Sequence, residues 1–364
     1  MTVVFAGGGT GGHLYPAIAI ADALRGRNAR IAFIGTSDRL EATIVPKAGY
    51  ELRTVTSRAL QRAITPQLIR TIVDNVKGTV QSLRLLAATR PNLVIATGGY
   101  VCFPVTLAAR IRRFTRLSGA PLVLLEPNAE PGLTNRLLAP LVDEVWGPPL
   151  RPDRRFAHKY RATGVPIRAS LRNLPAREAA IARLGLDPSL RTLVALGGSQ
   201  GARAINDALV DLVARGALPP GWQLLPLTGA ADYERVRGAL PHARAYLDDM
   251  ADAYAAADLV LARAGASTLA ELAAIGKASI LVPYPHAAQN HQDANAARFE
   301  AAGAAVLLSD RELQAGGLPA LLARSVEPQR LHALSTAAAR LGAGDPVAAI
   351  LARVDALLSR RTEQ

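Results

Sequence analysis

Apolar residues recur along this chain in two rhythms. Short runs at Thr2–Ala6, Arg30–Ile34, Leu93–Ala96, Pro121–Leu125 and Glu144–Trp146 have the length of buried strands. Between them lie longer amphipathic stretches, such as Leu14–Arg25 and Pro66–Ala88. In the second of these, Leu68, Ile69, Ile72, Val73, Val76, Val80 and Leu83 return at helical spacing. Strands alternating with helices predict an α/β fold, in which helices cover both faces of parallel sheets.

The rhythm breaks across Gly147–Pro175, a stretch rich in proline and arginine, and restarts at Thr192–Leu196. Further strand-like runs follow at Gln223–Leu227, Asp258–Ala262, Ala278–Val282 and Ala304–Leu307. Each half opens with a strand, a cluster of glycines and a helix. The pattern predicts two doubly wound, Rossmann-like domains, residues 1–162 and 163–344. The last helix, Pro346–Ser359, carries Val347, Ile350, Leu351, Val354 and Leu358 on one face and needs a partner surface. The segment 345–364 is expected to dock back on the first domain.

The length of 364 residues agrees with two domains of about 100–200 residues each. Half of the residues are hydrophobic, which fills two cores and excludes a mainly disordered chain. A single cysteine, Cys102, excludes an internal disulfide and a cysteine-based zinc cluster, and it suits a reducing compartment. Lys and Arg number 42 against 29 Asp and Glu, a net charge of +13, so the expected partner is acidic: nucleic acid, anionic lipid or a phosphorylated ligand. Nucleic acid ranks last, because only 4% of the residues are aromatic. No run reaches about 18 apolar residues, so no membrane span is expected. Met1–Ala6 reads as a first strand and not as a signal peptide, so the expected location is cytoplasmic.

Gly7-Gly8-Gly9-Thr10-Gly11-Gly12-His13 follows a strand and opens a helix. Glycines let a backbone approach a ligand closely, and a helix N-terminus favours an anion there. Gly7, Gly9 and Gly12 satisfy G-x-G-x-x-G, yet Gly35-Thr36 stands where a dinucleotide site needs an acidic residue, and Asp38 comes late. No Gly-Lys-Ser/Thr follows, so a P-loop is also disfavoured. A tight turn with no ligand satisfies the same pattern. A second loop, Gly197-Gly198-Ser199-Gln200-Gly201, holds the matching place in the second half. Two such loops facing each other would hold one phosphorylated ligand between domains.

Further motifs come in order: Gly98-Gly99-Tyr100-Val101 with Pro104, Asp248-Asp249-Met250, Arg263-Ala264-Gly265-Ala266-Ser267-Thr268 with Glu271, and Val282-Pro283-Tyr284-Pro285 with His291-Gln292 and Asn295-Ala296. Together with Gly8–Pro16 and Gly197–Arg203 they resemble the MurG family, glycosyltransferase family 28, over nearly the whole chain. The resemblance implies the GT-B architecture, two Rossmann-like domains facing a central cleft. It implies an inverting transfer of N-acetylglucosamine from UDP-N-acetylglucosamine to the C4 hydroxyl of the muramic acid in lipid I, the undecaprenyl-pyrophosphoryl-MurNAc-pentapeptide. The products are lipid II, for peptidoglycan synthesis, and UDP. No cofactor and no metal are implied. Two stretches depart from the family pattern: Leu125-Glu126-Pro127-Asn128 replaces His-Glu-Gln-Asn, and Gly164-Val165-Pro166-Ile167-Arg168 replaces Gly-Asn-Pro-Val-Arg.

Transfer needs a base for the attacking hydroxyl and stabilisation of the leaving diphosphate. His13, at the end of the first glycine loop, is the candidate base, and the family pattern implies the same position. A histidine that only hydrogen-bonds its own loop fits that place too. Thr10, Gly11 and Gly12 are implied to line the donor sugar and diphosphate. The implied donor set also includes Asn128, Arg168, Ser199, Leu247, Ala266, Ser267, Thr268, Leu269, Ala270, Glu271 and Gln292. Within it Arg168 suits phosphate or uracil, Ser199 a phosphate or a helix cap, and Leu247 the uracil through its backbone. The amides of residues 266–268 suit phosphate and sugar, Glu271 both ribose hydroxyls, and Gln292 the sugar hydroxyls. Tyr100 and Glu126 are expected on the acceptor side, and Tyr100 is equally compatible with a packed loop aromatic.

Three other readings share these motifs. They are another GT-B nucleotide-sugar transferase with a lipid acceptor, a sugar-nucleotide 2-epimerase, and a non-catalytic cell-wall scaffold. An epimerase would want several acids in the first cleft, where Glu126 stands alone in the sequence reading; a scaffold would let His13 or the glycine loops decay. A lipid acceptor places the enzyme peripherally on an anionic membrane, at its cytoplasmic face. Arg110, Ile111, Arg112, Arg113, Phe114, Arg116 and Leu117 interleave four arginines with three apolar residues and are the expected membrane face. A solvated, basic helix end has the same sequence.

Overall fold

Alternate residues of each strand point to opposite cores, as the two-residue period of a pleated strand requires. In the first unit Val3 and Phe5 enter one core, while Val4 and Ala6 enter the other. The structure, a computed structural model, describes residues 1–59, 66–150, 154, 156–198, 200–287 and 290–362. Its first sheet contains β1 (Thr2–Ala6), β2 (Arg30–Gly35), β3 (Glu51–Thr54), β4 (Leu93–Ala96), β5 (Leu122–Leu125), β6 (Glu144–Gly147) and β7 (Tyr160–Ala162). They are parallel and run in the order β3-β2-β1-β4-β5-β6-β7. The short edge strands β3 and β7 escape the sequence pattern, because edge positions are half exposed and carry no apolar run.

Helices α1 (Gly11–Arg25) and α2 (Glu41–Lys47) cover one face of this sheet, and α3 (Pro66–Thr89) and α4 (Cys102–Phe114) cover the other. The C-terminal helix, Pro346–Thr362, joins the α1 face, where Ile350, Val354 and Leu357 are buried. Arg353 adds an ion pair to the buried Glu144, whose carboxyl is held below its ordinary range by Arg353, the Trp146 indole and Arg161 against the cost of burial. The chain divides into two compact units, Met1–Pro166 with the residues from Gly344 onward, and Ile167–Ala343. Residues 163–166 stay with the first unit because Gly164 donates its amide to Gly147, 2.9 Å away, and packs against Pro346.

Helix α3 is turned opposite to its apolar pattern. Ile69, Ile72, Val73, Val76 and Val80 are exposed, Val76 by 59%, while Thr71, Asn75, Thr79 and Ser82 are buried. Asn75, Thr79 and Ser82 on this buried face are hydrogen-bonded. The Asn75 carbonyl oxygen accepts from Ser57 Oγ at 3.0 Å, its amide donates to the Arg58 carbonyl at 3.1 Å, and Thr79 and Ser82 donate to carbonyls one turn back. Gly78 lies against the Thr56 carbonyl and Pro104, where a β-carbon would overlap the carbonyl oxygen. Small, polar side chains thus let α3 sit close to its neighbours and leave the valine and isoleucine stripe outside.

The second sheet contains β8 (Arg191–Leu196), β9 (Trp222–Leu227), β10 (Leu259–Ala262), β11 (Ser279–Leu281) and β12 (Ala305–Leu307). All are parallel, in the order β12-β11-β10-β8-β9. Leu193, Leu259 and Leu261 enter one core and Val194, Leu196 and Val260 the other.

Candidate active site

In an open parallel sheet, the loops at the carboxyl ends of the strands part where the strand order reverses, and ligands sit in that crevice. The first sheet reverses between β1 and β4, which brings Gly7–Gly12 beside Thr97–Tyr100. The second reverses between β8 and β10, the strands that carry Gly197–Gly201 and Arg263–Gly265. Topology alone therefore singles out both glycine loops.

Thr10 caps α1 in extended conformation, and its carbonyl accepts the first intrahelical bonds from His13 and Leu14 at 3.2 and 3.3 Å. Gly11 and Gly12 form the first turn, and Thr10 is exposed beside them. His13 Nδ1 lies 2.9 Å from the Thr97 carbonyl oxygen. A carbonyl only accepts, so Nδ1 carries the ring proton of the neutral imidazole and Nε2 holds the basic lone pair. Gly98 and Gly99, at φ of +106° and +84°, give this pair room: a β-carbon on Gly98 would overlap the His13 ring, and one on Gly99 the Gly8 carbonyl. Tyr100 borders the same loop, its Cε1 3.8 Å from where a Gly9 β-carbon would be.

Sequence reasoning missed the group under this loop. Glu41 is fully buried, and it accepts from the Gly9 amide at 2.8 Å, the Thr36 amide at 3.0 Å and the Thr36 hydroxyl at 2.8 Å. A β-carbon on Gly8 would overlap its carboxylate. The acid sought at the end of β2 is thus supplied from the start of α2 and turned inward as a brace for the glycine loop. Nothing in the local sequence marks it, because only the fold returns α2 beneath β1.

Glu126, expected on the acceptor side, is a buried carboxylate within its own loop. It is 3% exposed, and both oxygens accept from its own loop and the helix that follows. Oε1 accepts from the Asn128 amide and side chain, each at 2.9 Å, and Oε2 from the Gly132 amide at 3.1 Å and Asn135 Nδ2 at 2.7 Å. Burial pushes its carboxyl above the ordinary range, and these donors pull against that. It holds together the loop that carries Asn128 and Gly132.

In the second unit, the helix Ala266–Ala274 begins directly after Gly265, so Ala266, Ser267 and Thr268 form its first turn, at the positive end of the helix dipole. Leu269 differs: its side chain is in the core and its amide donates to the Gly265 carbonyl at 3.0 Å, so what it gives the site is packing. Ala270 is half buried beside it. Glu271 and Arg168 are brought together across 103 residues: Arg168 donates through Nε at 3.1 Å and Nη2 at 2.9 Å to Glu271 Oε1. Arg168 is therefore committed to a carboxylate in this structure and not aimed singly at a phosphate. Tyr254, which sequence reasoning did not select, donates to Glu271 Oε2 at 2.8 Å.

Gln292 Oε1 accepts from the Tyr284 amide at 3.0 Å, which fixes the orientation of its side-chain amide. Leu247 packs half-buried on the core beside Met250. Ser199 lies outside the described residues. Among the described residues, no group of three or more His, Cys, Asp or Glu side chains is placed to hold a metal.

At the end of α4, Phe114 and Leu117 are 87% and 66% exposed, with Ile111, Arg110 and Arg116 exposed as well. Among the described residues, Arg113 pairs with Asp143, and Arg112 donates to the Leu117 carbonyl at 3.2 Å. Among the described residues, no helix is long and apolar enough to cross a membrane.

Residues 3–146 match the glycosyltransferase family 28 N-terminal domain, and residues 192–349 match the glycosyltransferase family 28 C-terminal domain. A UDP-N-acetylglucosamine–N-acetylmuramyl-(pentapeptide) pyrophosphoryl-undecaprenol N-acetylglucosamine transferase of Desulforudis audaxviator is 38% identical, over 100% of both chains. The enzyme of the same name from Moorella thermoacetica is 41% identical over 96% of this chain and 97% of its own. The crystal structure of MurG from Acinetobacter baumannii superposes with a TM-score of 0.70 at 25% identity, covering 93% of this chain and 94% of that one.

Proposed function

The chain belongs to glycosyltransferase family 28, and from that membership we propose how its own residues divide the work of the reaction. It transfers N-acetylglucosamine from UDP-N-acetylglucosamine to lipid I and forms lipid II in peptidoglycan synthesis. The fold is GT-B, two parallel-sheet α/β units. In our reading the acceptor's C4 hydroxyl attacks C1 of the donor sugar. His13 Nε2 takes its proton, the bond from C1 to the diphosphate oxygen breaks, and UDP leaves with inversion at C1. The observation that carries this reading is the hydrogen bond from His13 Nδ1 to the Thr97 carbonyl, which leaves Nε2 as the basic nitrogen.

The leaving diphosphate gains charge as the bond breaks. The amides of Ala266, Ser267 and Thr268, at the positive end of their helix, are suited to hold it without reorganising. With Oε1 already occupied by Tyr284, Gln292 presents its NH2 end to the sugar hydroxyls. Glu271 takes the ribose, and Asn128, Thr10, Gly11 and Gly12 line the sugar. Tyr100 stands beside the first glycine loop, on the acceptor side.

The acceptor is anchored in a bilayer, so the enzyme docks on the cytoplasmic leaflet. Phe114 and Leu117 at the end of α4 support this, and so does a stripe that sequence reasoning had assigned to an ordinary amphipathic helix. Ile69, Ile72, Val73, Val76 and Val80 are exposed on α3, with Arg70, Lys77 and Arg84 exposed along the same helix. Apolar side chains entering the interface and cations pairing with anionic headgroups, each worth about 1 kcal/mol, act together.

The direct test is incubation of the chain with UDP-N-acetylglucosamine and a lipid I analogue, scored by UDP release and product mass. The expected product is heavier by one N-acetylglucosamine residue. UDP release without that product overturns the transfer reading.

A further inference from the structure

Glu41 is fully buried at the start of α2, beneath the first glycine loop. The helix is anchored, since Val45, one turn on, is buried in the same core as Phe33 of β2. Oε1 accepts from the Thr36 amide at 3.0 Å and the Thr36 hydroxyl at 2.8 Å, and Oε2 accepts from the Gly9 amide at 2.8 Å. The fold clears space for this group. A β-carbon on Gly8 would overlap its carboxylate, and one on Gly35, the last residue of β2, would overlap its Cγ. Two backbone amides from different segments thus end on the two oxygens of one side chain. An amide N–H only donates, so both oxygens must accept. A carboxylate does this, whereas a glutamine turns its NH2 end toward one of the two amides.

The braced segment adjoins both holds on His13. A β-carbon on Gly7 would overlap the Thr97 hydroxyl, one on Gly99 would overlap the Gly8 carbonyl, and Tyr100 borders Gly9. Gly7–Gly9 therefore lie along Thr97–Tyr100, the segment whose Thr97 carbonyl holds His13 Nδ1. The same glycines run into Thr10, whose carbonyl accepts from the His13 amide. The position of Gly9 bears on the His13 backbone through Thr10 and on its ring through Thr97.

We propose that Glu41 is a positioning residue for the transfer: by tying the Gly9 amide to Thr36, it sets the first glycine loop where His13 keeps its ring proton on Nδ1 and Nε2 free to take the acceptor's proton. The proposal rests on His13 being the base. Without the carboxylate the buried Gly9 amide has lost its acceptor, and the loop shifts to find another. A misplacement of about 1 Å in a reacting group costs roughly 10²-fold in rate.

The experiment compares the full-length parent, Glu41→Gln and His13→Ala with UDP-N-acetylglucosamine and a water-soluble lipid I analogue. In Glu41→Gln, kcat per folded molecule is expected to fall roughly 10–100-fold, while UDP affinity by calorimetry stays within about twofold of the parent. A role in stability alone lowers Tm and leaves kcat per folded molecule at the parental value, and that result overturns the proposal. The second readout is NMR of 15N-labelled histidine, with the His13 signals assigned by their loss in His13→Ala. The parent is expected to show the neutral His13 ring protonated on Nδ1, and Glu41→Gln a mixture of the two tautomers. A parental tautomer in Glu41→Gln overturns the route through His13. If His13→Ala keeps the parental kcat, the base reading fails. If His13→Ala loses it and Glu41→Gln keeps it, the base reading stands and the role of Glu41 is overturned. Should Glu41→Gln not fold, Gly8→Ala is the second variant. Gly8 lies outside the left-handed region, so alanine fits its backbone, and the new methyl group displaces the carboxylate from Gly9. It is expected to lose kcat and the Nδ1 tautomer together, and parental values of both count against the brace.

Discussion

Gly98 and His13 adjoin so closely that a β-carbon on Gly98 would overlap the imidazole ring. The glycine after β4 is thus a floor for the side chain proposed as the base, and the Thr97 carbonyl next to it fixes the ring's proton on Nδ1. Gly98→Ala has to turn the ring out of this hydrogen bond, and the φ of +106° adds backbone strain. We expect kcat to fall by roughly 10²-fold, approaching the roughly 10²–10⁴-fold loss of His13→Ala. UDP affinity should stay near the parental value in both, since neither Gly98 nor His13 is among the proposed donor contacts. Steady-state kinetics beside UDP titration checks this, and parental kcat in His13→Ala removes the residue from the mechanism.

Gly78→Ala reverses the usual helix rule. Alanine normally stabilises a helix by about 1 kcal/mol relative to glycine. At residue 78 the new methyl group would overlap the Thr56 carbonyl oxygen, which is backbone and cannot swing aside. A net loss of about 2 kcal/mol is expected in thermal or urea unfolding. An increase in Tm would mean that α3 does not lie this close to the segment after β3.

Asp232 carries a pH signature of stability. The Arg235 guanidinium, with Asn206 and Arg203, lowers its carboxyl to about 2 against the cost of burial. A folded-state value below the unfolded one means stability that is present above about pH 4 and is lost as pH falls through about 2. Asp232→Asn should therefore cost about 1 kcal/mol at neutral pH, and the difference from the parent should close between about pH 4 and pH 2. Unfolding curves across that range decide it. A difference that persists at the acid end would assign the effect to packing.

Two variants test the proposed membrane face. Val73 and Val76 are exposed, so replacing both with Glu should leave Tm within a degree or two while cosedimentation with anionic vesicles falls severalfold. Arg112, Arg113 and Arg116 replaced together by Glu should abolish binding at low salt. The Tm of this second variant needs measuring beside it, since Arg113 also pairs with Asp143. Both should still turn over a short-chain, water-soluble acceptor. Parental vesicle binding in both would place the docking face elsewhere.

Much of this protein is legible in its sequence because the relevant forces are local in the chain. A buried parallel strand must be a short apolar run, so β1, β2, β4 and the central strands of the second sheet stand out. A backbone that must turn sharply or pass close to another needs glycine, so both loops are visible as glycine clusters. His13, Arg168, Glu271 and Gln292 are visible through the motifs that hold them. What the tertiary structure alone decides is which groups meet. Glu41 braces Gly9 across 32 residues, Arg168 reaches Glu271 across 103, and Tyr254 closes the same carboxylate from another helix. The orientation of α3 belongs here too. Its periodic valines and isoleucines predict a helix with an apolar face, but which face is buried depends on Gly78, Asn75 and Thr79 fitting against the Thr56–Arg58 backbone. Periodicity records that a helix has two faces; the neighbours that exclude water from one of them are set by the fold.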